Sequence, residues 1–124
     1  MAAPNLLTMS TMTGKTSAVA LSTTSSTAVL SNAASSGKVL KVNWVRVTNV
    51  DGSASANATV SYYNQAGLGG TQYMLVQLKP VAANSYLDVI TKDTPLYLEE
   101  NTSLGATAGT ANDLVVVVGY EEIS

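Results

Sequence analysis

Residues 38–50, KVLKVNWVRVTNV, place apolar side chains at every second position and carry no helical period. Such alternation builds a strand with two distinct faces: Leu40, Val42 and Trp44 on one, and Val45, Val47 and Asn49 on the other. The apolar frame switches at Trp44 and Val45. A switch inside one long strand predicts a β-bulge, or a bend that carries the strand from one sheet into another. Asp51 and Gly52 supply a turn, and Ala58, Val60 and Tyr62 mark the returning strand.

The rest of the chain reads in the same way, as short strands punctuated by turn residues, with almost no helix signals. Residues 17–21 and 27–31 alternate small apolar with hydroxyl side chains across 22–26, as a hairpin or as two consecutive edge strands. Residues 64–70 (NQAGLGG) read as a flexible loop before a strand carrying Met74, Val76 and Leu78. Lys79 and Pro80 are expected to end that strand, since proline cannot donate to a ladder. Shorter strands follow around 85–91, 95–99 and 104–108. The last carries Leu114, Val116, Val118 and Tyr120; Val115 and Val117 are apolar too, which predicts a strand buried on both faces at a sheet centre. About eight or nine strands at this spacing predict an all-β, single-domain antiparallel β-sandwich of jelly-roll-like kind. One unit is expected from 124 residues.

The apolar inventory is Ala, Val and Leu with no Phe and one Trp, so the core must be built from small branched side chains. Residues 1–15 have no clear period and are Thr/Ser-rich, with Leu6, Leu7, Met9 and Met12 as scattered apolar points. They are expected to form an extended N-terminal arm that orders against a neighbouring surface, leaving residues 16–124 as the sandwich domain. The N-terminus shows no basic region followed by an apolar run, and no stretch reaches the roughly 18 apolar residues of a membrane span. A soluble intracellular product is expected.

Cys and His are both absent. Their absence removes disulfides, the commonest transition-metal ligands, the usual general base near neutral pH and the partner of most Ser or Cys nucleophiles. The expectation is a non-enzymatic protein with no catalytic, cofactor-binding or metal site. Net charge is −2 and the six Lys and Arg are scattered, so nucleic acid is not an expected partner.

Several motifs invite a chemical reading and fail on context. Gly14, Lys15 and Thr16 resemble the tail of a phosphate-binding loop, but the first glycine position is Met9 and no helix follows. Gly67, Gly69 and Gly70 lie between strands without a βαβ unit. The acidic pairs Glu99–Glu100 and Glu121–Glu122, with Asp88, Asp93 and Asp113, have no spacing that demands calcium or a glycosidase pair, and read as solvated strand ends. Asn57 and Asn101 fit a glycosylation pattern that needs a secretion route.

Tyrosines carry the remaining signal. Tyr62 and Tyr120 fall on apolar faces and are expected inside. Tyr63, Tyr86 and Tyr97 point the other way and, with Leu6, Leu7, Met9 and Met12, are the candidate interface residues.

The run 41–61 (KVNWVRVTNVDGSASANATVS), together with 81–85 (VAANS), 95–100 (PLYLEE) and 114–124 (LVVVVGYEEIS), resembles small virion structural proteins of tailed bacteriophages. In those proteins a strand ending in VTN precedes a polar turn and a Thr/Val strand, and an apolar strand runs into EIS at the C-terminus. The similarity covers about two-thirds of the chain, from residue 38 onward, and rests on strand-and-turn signatures. It implies a capsid decoration (cement) protein that binds and stabilises the phage head shell, or a neck or tail accessory protein. The partners implied are the major capsid protein or other virion proteins, with a homotrimer as the oligomer. The place implied is the virion, assembled in the host cytoplasm. The alternative expectation is a tail-fibre domain that binds glycans, through tyrosines clustered around residues 64–70.

Overall fold

A computed structural model describes residues 4–124. Among them, nine strands form two antiparallel sheets around one core. In the first sheet β1 (Met12–Ala20), β9 (Leu114–Ile123), β3 (Val39–Asn49) and β6 (Tyr86–Ile90) lie in that order, and β7 (Leu96–Leu98) also pairs with β3. The second sheet runs β2 (Thr27–Asn32), β8 (Thr102–Ala108), β4 (Ala56–Gln65), β5 (Gly69–Val81). The protein is an all-β sandwich. Residues 1–3 of the expected arm lie outside the described residues. Residues 12–15 of that arm belong to β1, which pairs with β9 from Met12 opposite Ile123 to Ala20 opposite Val115.

The frame switch in β3 is a bulge, and it reassigns the faces. Val42 pairs with Tyr120 and Trp44 with Gly119, so Asn43 is the extra residue. One inserted residue turns the following side chains over. Leu40, Val42, Val45 and Val47 therefore all enter the core, while Trp44 leaves it for the outer face at 39% exposure. The expected grouping of Trp44 with Leu40 and Val42 is corrected on this ground.

Inner side chains are unequal in size between the sheets. β3 and β9 contribute Leu40, Val42, Val45, Val47, Leu114, Val116 and Val118, whereas β4 and β8 contribute Ala56, Ala58, Ala106 and Ala108 beside Val60 and Leu104. Large residues from one layer and small ones from the other fill the fully buried space, and Tyr62 and Tyr120 pack against it only partly buried. β9 does sit at a sheet centre, between β1 and β3, with Val115 and Val117 half-buried on the outer face.

Connections mostly cross between sheets. β1 and β2 are edge strands of different sheets, which settles the two readings of residues 17–31 in favour of consecutive edges. β3 and β4 likewise lie in different sheets, so Asp51 and Gly52 belong to a crossover and not to a hairpin. Asn49 organises that crossover. Its side chain, 1% exposed, donates to the carbonyls of Ala54 (3.0 Å) and Val81 (2.9 Å) and accepts from the Asp51 amide (2.9 Å). Asn32 repeats the device at the end of β2: it donates to the carbonyls of Lys38 (2.8 Å) and Leu98 (3.0 Å) and accepts from the Ser36 hydroxyl (2.6 Å). Each amide uses its full donor set where the chain leaves a sheet.

Two further expectations are corrected. Pro80 lies within β5, opposite Asn57; β5 is an edge strand, where a missing N–H costs no ladder bond. The segment expected as a flexible loop is the one tight hairpin between β4 and β5, with a 3₁₀ turn at Ala66–Leu68. The Ala66, Gly67 and Leu68 amides donate to Asn101 Oδ1 (3.1 Å), Ser31 Oγ (2.9 Å) and Ser103 Oγ (2.9 Å). The turn is thereby held against β8, where Leu68 and Tyr63 crowd Gly105 so closely that a β-carbon there would overlap Leu68.

Candidate functional site

Directly paired residues of neighbouring strands share a face, so the register defines the outer surface of the first sheet. Across it run Ala20, Val115, Thr48 and Tyr86; Ala18, Val117, Arg46 and Asp88; Thr16, Gly119 and Trp44; and Gly14, Glu121, Lys41 and Tyr97. The β1 side of this surface is small and flat. Aromatic and charged residues gather on the β3 and β6 side.

Around Trp44 these groups line a shallow pocket of about 290 Å³ with Arg46, Asp88, Thr91 and Lys92. The indole lies against Gly119, where a β-carbon would overlap its Nε1 and Cε2. Arg46 meets Asp88 in a two-point contact, Nε to Oδ1 at 2.7 Å and Nη2 to Oδ2 at 3.2 Å. That hydrogen bond holds the guanidinium pKa above its ordinary value. The guanidinium also stands 4.0 Å above the Tyr86 ring centroid. Thr91 and Lys92 come from the β6–β7 turn, closed by the Thr94 amide on the Thr91 carbonyl at 3.0 Å.

Of the residues singled out in the sequence, Met12, Tyr86 and Tyr97 fall on this outer face and are exposed. Leu6, Leu7 and Met9 are also exposed, in the segment leading to β1; its amides at Ser10 and Thr11 donate to the Ser124 carbonyl. Tyr63 is not a surface residue. At 7% exposure it is packed beneath the 66–68 turn, so the tyrosine cluster expected around residues 64–70 does not form. Tyr62 is half-buried against the core, and only Tyr73 beside it is exposed, the two rings 6.3 Å apart.

Three of the four glutamates in the acidic pairs bond within the chain through their carboxylates. Glu121 accepts from Asn43 Nδ2 at 2.9 Å, Glu100 accepts from the Gly37 amide at 2.9 Å, and Glu122 bridges Lys15 and Lys38 at 3.1 and 3.0 Å. Among the described residues no three His, Cys, Asp or Glu side chains stand close enough to hold a metal ion.

Trp44 and Arg46 are the residues sequence reasoning missed on this face. Their spacing of two was the available signal, hidden because the Asn43 bulge places Trp44 apparently in step with Val42. A second exposed apolar region lies on β5, where Tyr73, Met74, Leu75 and Leu78 are all exposed along one thirteen-residue edge strand. Compared with known protein families and with curated sequences, the chain matches no family model and no curated protein.

Proposed function

We propose that this protein is a non-enzymatic structural component that packs against copies of itself and a larger assembly, as a capsid decoration protein of the kind its sequence resembles. One observation carries the reading: β5 leaves Tyr73, Met74, Leu75 and Leu78 exposed at a sheet edge. Edge strands bearing large apolar side chains are surfaces that monomeric proteins suppress. Lys79 is the one charged residue on this strand, so little opposes association there.

The other exposed apolar residues fit the same reading. Leu7 is 93% exposed just ahead of β1, positioned to reach a neighbour. With several copies engaging a repeating shell at once, modest single contacts add up to firm attachment. The trimer and the head-shell partner come from the resemblance.

Light scattering on the full chain and on a chain lacking residues 1–9 tests the proposal, since that cut spares β1 and the Ser10 and Thr11 bonds to Ser124. A stable trimer that loosens on truncation is the expected result. A monomer in both forms, with no binding to assembled capsid shells, overturns it.

A further inference from the structure

We propose that the Trp44 pocket binds a saccharide ring bearing a carboxylate, of the uronic- or sialic-acid type. The site is distinct from β5 and from the N-terminal segment, and it does not depend on the assembly reading.

The first argument is the indole. Trp44 packs against β9 because Gly119 offers no side chain to hold it away, and the residue remains 39% exposed. A rigid apolar plane at the surface has lost its conformational freedom before any ligand arrives, so stacking on it costs little further ordering. It suits a ligand with one flat apolar face.

The second argument is the Arg46–Asp88 pair. Arg46 donates only, and an ionised Asp88 accepts only. A single ligand group that engages both must donate and accept at once, and hydroxyls do so. An anionic group seated on Arg46 would meet the Asp88 carboxylate, 2.7 Å from Arg46, with like charge, so the ligand's hydroxyls and not its carboxylate belong at this pair. A ring with one apolar face and a rim of hydroxyls is a sugar.

Lys92 sets the sugar's charge. Exposed on the pocket rim, it has no ion-pair partner among the described residues, whereas Arg46 has its partner in Asp88. An unmatched ammonium favours a ligand carboxylate. The volume of about 290 Å³ lies at the small end for ligand pockets and accommodates a single ring in contact with these five residues.

Trp44 is the sole tryptophan, so its fluorescence reports on this pocket alone. The protein is titrated with sodium glucuronate, glucose and sodium acetate at matched ionic strength. The expected result is a saturable emission change with glucuronate, weaker binding of glucose and no response to acetate, with dissociation constants on the order of millimolar. Lys92→Gln should weaken glucuronate several-fold and leave glucose unaltered; Arg46→Lys should weaken both. No saturable change with either sugar up to about 100 mM overturns the site, as does an equal response to acetate. Equal affinity for the two sugars, or equal loss of both in Lys92→Gln, overturns the carboxylate assignment.

Discussion

The indole of Trp44 occupies the space that a side chain on Gly119, its register partner on β9, would take. This contact explains why a glycine stands within the apolar run of β9: a β-carbon at 119 would occupy the space of Nε1 and Cε2. In Gly119→Ala the indole must therefore swing off the sheet. The expected outcome is a red-shifted emission from Trp44 and a loss of about 1–3 kcal/mol on urea unfolding, typical of overpacking. Unchanged emission would show that the ring does not rest on β9.

Asn49→Ala should cost about 1–3 kcal/mol, because it leaves the Ala54 and Val81 carbonyls and the Asp51 amide without their partner at a buried crossover. Asn32→Ala should cost a similar amount through Lys38, Leu98 and Ser36. The two sites are independent devices at different crossovers, so the double variant should lose close to the sum. Urea midpoints of the four proteins check both statements.

How much of this was legible in the sequence depends on how local the determining contact is. Alternation in residues 38–50 located β3, since burial on a pleated sheet imposes a period of two, and the unbroken apolar run 114–118 located β9 at a sheet centre. The Asn43 bulge was visible as a frame switch, but the same switch also fits side chains that stay on opposite faces, and only pairing with β9 decides between them. Asp51 and Gly52 show a turn without showing which sheet the next strand joins. Glycines at 67, 69 and 70 suggested mobility; what fixes that turn are Ser31, Asn101 and Ser103, more than thirty residues away in the chain. Trp44's place beside Asp88 and Lys92 is equally non-local.

Acid should weaken the fold through Glu122. Hydrogen bonds from Lys38 and then Lys15 hold its carboxyl below the ordinary value of 4.5. A carboxyl with a depressed folded-state pKa contributes stability that is fully present above that ordinary value and is lost as pH falls through the folded one. Glu122→Gln should melt lower than the native protein near neutral pH, and the two melting curves should converge on acidification below about 4.5. A smaller acid loss should survive in the variant, because Asp51, held below 3.8 chiefly by the Ala54 amide, follows the same sign. Melting temperature against pH for both proteins is the measurement. A constant offset at every pH would assign the effect to packing.

The β5 surface gives the sharpest separation of assembly from folding. Leu75 and Leu78 are 39% and 62% exposed, and neither belongs to the core cluster or the side chains packed on it. Replacing both by Lys should change unfolding free energy by no more than about 0.5 kcal/mol, as for other surface positions. Two ammonium groups on an edge strand block approach of a second apolar surface, since each would be buried without a partner. β5 also carries three register irregularities against β4, and Leu78 itself sits at φ 48°, so its outer edge is poorly shaped for continuing the sheet. The contact should accordingly be made by side chains and respond to their charge. If copies associate through β5 as proposed, light scattering is expected to show monomer in Leu75→Lys/Leu78→Lys at unchanged melting temperature. An intact oligomer in that variant would move the interface off β5.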